Sequence, residues 1–240
     1  MIERHMATLY QDVIDALLQR IASGALPPGA MLPSEVQLGK ELGVAQGTAR
    51  KAVMELEARG LIQRTQGRGS FVTLRTPEES LFSFFQLRRP DGTMDPPGLL
   101  SETLKTRPAK AGERETLHDA PETVYELTRA RTLGGDVSVV ETSVLSTALF
   151  PGLADRGRLP NTLYVFLQQA YSTIILRTEE TLRAVPAGKA VAKRLGVAPG
   201  DPLLAITRHT YDALDRVVEV RTSHCRTDKH AYFAFRSRST

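Results

Sequence analysis

Cysteine is almost missing from this 240-residue chain. The single Cys225 excludes an intrachain disulfide framework and suits a reducing compartment. No run approaches the roughly eighteen apolar residues of a membrane-spanning helix. The opening Met1-Ile2-Glu3-Arg4-His5 has no apolar stretch or small-residue cleavage site behind it, so a cytoplasmic protein is expected. Enzyme signatures are lacking too. His118, His209, His224 and His230 show no metal-ligand spacing, and no Gly-x-Ser-x-Gly elbow exists. Gly67-Arg68-Gly69 is half a dinucleotide fingerprint, but a strand-like run follows it and the third glycine is absent. Gly188-Lys189 lacks the leading glycine of a phosphate loop, because Arg183 stands there. No cofactor and no metal are expected.

What remains is a foldable chain with 41% hydrophobic and 24% charged residues. Its 31 Lys+Arg against 27 Asp+Glu leave a net charge of +4, which permits a polyanionic partner without demanding one. The placement of that charge decides. Leu9, Val13, Leu17 and Ile21 recur at four-residue steps and predict an amphipathic helix ended by Gly24. Ser34 is placed to cap a second helix with Gln37 reaching back, and Gly43 stops it. A third helix is expected from about Gln46 to Arg59, with Ala49, Val53 and Leu56 inward and Gly60 closing it. Two strands, Leu61–Thr65 and Ser70–Thr73, then flank the turn Gln66-Gly67-Arg68-Gly69. This order is that of a winged helix-turn-helix.

In that geometry the third helix enters the major groove by its N-terminal end, here Gln46-Gly47-Thr48-Ala49-Arg50-Lys51. From Gln46 to Arg75 there are six basic residues against two acids, a local excess equal to that of the whole chain. Arg50 can offer two donors to guanine, and Gln46 can pair with adenine. Thr48 and Ser34 suit phosphate or base-edge contacts, and Arg68 at the wing tip can reach a backbone or minor groove. A basic helix face alone is usually just solvated; the coincidence of helix order, cap, glycines and basic wing favours duplex DNA.

Residues Tyr10 to Val72 closely resemble the DNA-binding domain of GntR-family bacterial transcription regulators. The pieces that carry the likeness include Leu32-Pro33-Ser34-Glu35, Thr48-Ala49-Arg50-Lys51-Ala52, Leu56-Glu57-Ala58-Arg59-Gly60-Leu61 and Gly67-Arg68-Gly69-Ser70-Phe71-Val72. The resemblance implies that Thr48, Arg50 and the wing from Gly67 to Gly69 contact an operator, supported by Ser34 and Glu35. Family members usually carry Ser-Arg where this chain has Ala45-Gln46. Loss of the cap hydroxyl is expected to cost roughly 0.5–2 kcal/mol locally. Exchange of arginine for Gln46 is expected to move base preference away from guanine.

After a linker expected over residues 74–80, the rhythm becomes that of an α+β domain over residues 81–240, against 1–73 for the DNA-binding domain. Strands are expected from Tyr125 to Arg131, Val137 to Leu145, Leu203 to Tyr211 and Val217 to Arg226. Helices are expected after the cap candidate Asn161 and from about Ala187 to Leu195. Arg129 and Arg131 share one strand face, and Glu141 and Glu219 lie within apolar strands, where a carboxylate is costly unless paired or exposed. Two readings stand: Arg–Glu ion pairs across the sheet, or a polar pocket holding an anionic ligand near the start of the Asn161 helix.

Residues from about Phe82 to Phe235 resemble the UTRA effector-binding domain of the HutC subfamily, an antiparallel-sheet domain of the chorismate-lyase fold. The likeness rests on Val124–Arg131, Glu141–Leu145, Phe150–Leu153, Thr162-Leu163-Tyr164, Leu195-Gly196-Val197, and Val218-Glu219 with Arg226-Thr227-Asp228. It implies effector contacts by Arg129, Arg131, Glu141, Thr162, Tyr164, Glu219 and Cys225. Tyrosine is often found where Cys225 stands, and a small buried hydrophobe is the plainer reading of that residue. The expectation is a homodimeric repressor on a pseudo-palindromic operator, controlled by a small, anionic effector and without a membrane partner. The alternatives are a chorismate-lyase-like enzyme fused to a DNA-binding module and a constitutive DNA-binding module.

Overall fold

A computed structural model describes residues 2–77, 79 and 85–234. Residues 78 and 80 of the expected linker, and Phe82 and Phe235 at the ends of the second resemblance, lie outside the described residues. The chain gathers into two compact units. The first holds the residues up to Thr76 together with 164–176 and 212–215; the second holds the remainder.

The first unit opens with α1 (Ile2–Ala22), α2 (Glu35–Leu42) and α3 (Gln46–Ala58). Val13, Ile14, Leu17, Leu18 and Ile21 of α1 are buried against Leu38 and against Ala49, Ala52, Val53 and Leu56 of α3. The α1 stripe is thus wider than a four-residue step, as a 3.6-residue turn requires. The expected capping box closes around α2: the Ser34 hydroxyl oxygen accepts from the Gln37 N–H at 3.2 Å, and the Ser34 N–H donates to Gln37 Oε1 at 2.8 Å. Gly39 lets α2 approach α3, since a Cβ there would stand 2.9 Å from the Val44 carbonyl oxygen. The wing is the antiparallel hairpin β1 (Ile62–Thr65) and β2 (Gly69–Val72), in the register Arg64 opposite Ser70. Ile174 joins this core, with Leu176, Ala213 and Leu214 packed at its margin.

The second unit is built on a sheet of six strands among the described residues. These are β4 (Gly98–Pro108), β5 (Thr123–Leu133), β6 (Asp136–Ser146), β7 (Ile175–Pro186), β8 (Pro202–Asp212) and β9 (Val217–Cys225), in the order β4-β5-β6-β9-β8-β7. The β4–β5, β5–β6, β6–β9 and β8–β9 pairs are antiparallel. A short pair, β3 (Leu87–Arg88) with β10 (Ala231–Tyr232), stands apart. Its α-helices among the described residues include α4 (Ala111–Thr116), α5 (Leu163–Tyr171), most of which belongs to the first unit, and α6 (Lys189–Leu195).

Alternation gives the sheet two unlike faces. On one, Ala130 and Val140 pack against Ala192 and Leu195 of α6, and Val124 and Val144 pack against Leu117. On the other, Leu87 and Tyr232 of the short pair cover Leu133, Val139, Ile206 and Cys225. Beside that apolar patch the same face turns polar, and the second candidate site lies there. Asn161 does not cap α5 as expected. Its carboxamide is bonded elsewhere, accepting from Arg131 and donating to the Pro97 carbonyl at 2.6 Å, and the helix starts two residues later.

Candidate functional sites

The first site is made by the N-terminal turn of α3 and the tip of the wing. Gln46, Arg50 and Lys51 are exposed on α3, with Thr48 half-buried among them. Gly67 and Gly69 adopt φ of +74° and +112°, which only glycine holds comfortably, and they carry Arg68 between them into solvent. Among the described residues, the side chains of Arg50, Lys51 and Arg68 make no hydrogen bond or ion pair. The other basic residues of this stretch behave differently. Arg59 is paired with Glu55 at 3.0 Å, and Arg64 is held by Glu57 at 3.0 Å and Glu35 at 3.2 Å. Arg75 is half-buried and engaged within the protein, so the exposed charge available to a polyanion sits on three side chains of the six.

Two expected DNA contacts are engaged within the protein. Ser34 uses its hydroxyl oxygen on the α2 cap, and Glu35 uses its carboxylate on Arg64. Ala45 occupies the cap position of α3 with extended backbone (φ −64°, ψ 145°) and offers no side-chain acceptor to the first turn.

The second site is a run of charged groups on the polar face of the sheet. Register explains its composition: Glu102 lies opposite Arg129, Arg129 opposite Glu141, and Arg208 opposite Arg221. Arg129, only 1% exposed, bonds Glu102 at 2.7 Å and donates to the Pro160 carbonyl at 2.9 Å. Arg131 reaches diagonally to Glu141 Oε1 at 2.8 Å. Arg221 bonds Glu219 at 2.8 Å and Ser143 at 3.0 Å, and Glu219 also accepts from the Thr210 hydroxyl at 2.9 Å. Arg208 pairs with Glu180, which in turn accepts from the Tyr232 hydroxyl. Every expected charged residue is thus in an ion pair, and of them Glu141 lines a cavity, together with Arg221, Arg208 and Glu180.

Glu141, Glu180, Arg208, Arg221, Ser223 and Tyr232 supply the polar wall of that cavity. Glu141 is its most informative member. Burial alone would raise its pKa, but Arg221 and Arg131 outweigh burial and bring it down to about 2. Its Oε1 is taken by Arg131, whereas Oε2 faces Arg221 at 3.6 Å, too far for a hydrogen bond. For Arg129, burial first and the neighbouring Arg131 charge second lower the pKa. The Arg129 Nη1 group is buried without an acceptor among the described residues.

Three expected contacts remain. Cys225 lines the cavity from its apolar side, 1% exposed, and burial pushes its thiol well above the ordinary range. Thr162 is half-buried just before α5, and Tyr164 is buried on α5 in the first unit. Glu102, Glu180, Arg208, Arg221, Ser223 and Tyr232 were not among the expected contacts. Arg208 and Arg221 were within reach, since they alternate along two strands that the sequence reveals, and Arg221 is two residues from Glu219. Glu102 and Glu180 lie on β4 and β7, which the sequence does not reveal.

Comparison with known proteins bears on both sites. Residues 9–72 match the family described as bacterial regulatory proteins, gntR family, and residues 101–231 match the UTRA domain. The transcriptional repressor NagR of Bacillus subtilis is 26% identical over 247 residues, covering 96% of this chain and 95% of NagR. The histidine utilization repressor of Pseudomonas putida is 27% identical over 220 residues, covering 91% of this chain and 88% of that protein. Among solved structures, the ligand-binding domain of a regulator assigned to the GntR family from Bordetella bronchiseptica superposes with a TM-score of 0.57 at 28% identity. It covers 64% of this chain and 98% of that one.

Proposed function

Because the chain belongs to the gntR family of bacterial regulatory proteins and more than half of it is a UTRA domain, it is a transcriptional regulator and not an enzyme, and we propose how it works. It is a cytoplasmic homodimeric repressor that holds a pseudo-palindromic operator and releases it when a small effector enters the UTRA domain. Residues 1–73 form the DNA-binding domain and residues 81–240 the effector domain. Gln46, Thr48, Arg50 and Lys51 read and grip the major groove, and the Gly67-Arg68-Gly69 wing follows the adjacent backbone or minor groove. Ser34 and Glu35 act indirectly, through the α2 cap and through Arg64. The observation that carries the DNA reading is three exposed cations on adjoining elements that have no partner among the described residues, beside two arginines that are already paired.

The effector site is the polar face around Glu141, with Arg129, Arg131 and Glu219 framing it and Thr162 and Cys225 at its edges. An anionic group of the effector takes arginine donors, and a donor on the effector takes Glu141 Oε2. The site's arginines and carboxylates are already paired with one another, so an effector that takes them has to compete with those partners. That exchange of partners supplies the difference in affinity between DNA-competent and released states that regulation requires. A thermal-shift screen of the full chain against anionic metabolites, followed by gel shifts with the hits, tests this. An effector raises the melting temperature and weakens the duplex complex. Hits that stabilise the protein yet leave DNA affinity unchanged contradict it.

A further inference from the structure

Arg64 sits on the first strand of the wing, yet its guanidinium points back into the helices. Nη2 lies 3.2 Å from Glu35 Oε1, on the first residue of α2, and Nε lies 3.0 Å from Glu57 Oε2, one residue from the end of α3. One side chain therefore ties the wing to both helices of the helix-turn-helix. The three side chains are between 24% and 38% exposed, and ion pairs so open to water contribute little to folding stability. What they can do is fix an angle. The hairpin is only four residues per strand, its tip is two glycines around Arg68, and its orientation decides where Arg68 stands relative to Arg50. A two-stranded hairpin has little rigidity of its own.

We propose that Arg64 is a positioning residue: clamped between Glu35 and Glu57, it sets the wing against α3 and takes no part in contacting DNA. The sequence composition counts Arg64 among the cations that attract a phosphate backbone, whereas the geometry spends its charge on two carboxylates. Glu57 and Glu35 then favour DNA binding although both are acidic.

That sign distinguishes the clamp from simple electrostatics. Removing an acid near a polyanion tightens binding when only long-range charge matters; removing one jaw of a clamp weakens it. The test uses the full chain and a duplex that the wild-type protein itself selects from a random pool. Glu57→Gln is expected to weaken binding by about threefold to tenfold at fixed salt. Arg64→Gln is expected to weaken binding without changing the slope of log affinity against log salt, whereas loss of a phosphate contact would flatten that slope by about 0.9. A tighter or unchanged complex with Glu57→Gln, or a flattened slope with Arg64→Gln, overturns the proposal. The inference rests on the DNA-binding reading of residues 9–72, so a second measurement needs no DNA. Amide hydrogen exchange across Ile62–Val72 in the free protein should speed several-fold in both variants while global stability holds. Unchanged exchange there rejects the clamp whatever the protein binds, and a wild-type protein with no duplex affinity fails the DNA reading separately.

Discussion

Arg50 and Arg68 in one unit and Arg129 and Arg131 in the other are the same residue type in opposite surroundings. The first two are exposed and make no hydrogen bond or ion pair among the described residues; the second two are 1% and 4% exposed and held by carboxylates. An exposed arginine keeps its hydration and can exchange it for a phosphate or a guanine edge at small cost. A buried arginine has already exchanged water for a fixed partner, so any ligand must compete with that partner. The surfaces therefore differ in how they respond to mutation: one should lose binding and keep its fold, the other should lose fold first.

Arg131→Ala breaks this comparison most strongly. It leaves the Glu141 charge buried beside a missing partner and should cost about 3–5 kcal/mol in urea unfolding. A loss under about 1 kcal/mol would mean that water reaches the pair and that the site is open. Acid comes next. With the Glu141 pKa lowered from the ordinary 4.5 to about 2, its ionisation contributes about 3 kcal/mol of stability above pH 4.5. Because the folded value is the lower one, that contribution fades as pH falls from 4.5 towards 2. The stability gap between wild type and Glu141→Gln should therefore shrink across that window, and a constant gap would show that Glu141 does not titrate so low.

On the DNA side the effects are smaller and fall on recognition. Arg50→Ala should reduce discrimination between selected and random duplexes by about 1–3 kcal/mol, measured by competition binding, with an unchanged melting temperature. A large drop in melting temperature would move Arg50 into the structural class. Ala45→Ser should be the mildest, stabilising the protein by about 1 kcal/mol in chemical denaturation, because the position already has the extended backbone that a capping hydroxyl needs.

The same contrast explains what was legible in the sequence. The first unit is written in local signals: Ser34 and Gln37 meet as a capping box, Gly43 and Gly60 end helices with positive φ, and Gly67 and Gly69 shape the wing tip. Such signals act over three or four residues and survive without tertiary context. The ion-pair cluster is non-local. Arg129 and Arg131 could be placed on one face by alternation, but their partners depend on register with β4 and β6. Strands β4 and β7 form the two margins of the sheet, largely exposed along their length, so they lack the apolar–polar alternation that revealed β5, β6, β8 and β9. Helix α4 has no buried residue and hence no stripe to detect. Asn161 looked like a cap because its type and position suit one, yet Arg131, distant in sequence, engages its side-chain oxygen.

The proposed cationic surface of Arg50, Lys51 and Arg68 has to meet the phosphates of a duplex. The direct measurement is affinity for a selected duplex across a salt series, for wild type and for Arg50→Ala with Arg68→Ala. Wild type should lose affinity steeply as salt rises, and each arginine that meets a phosphate should flatten the log–log slope by about 0.9 when removed. Salt-independent affinity, or variants indistinguishable from wild type in both slope and affinity, would show that these side chains do not hold DNA.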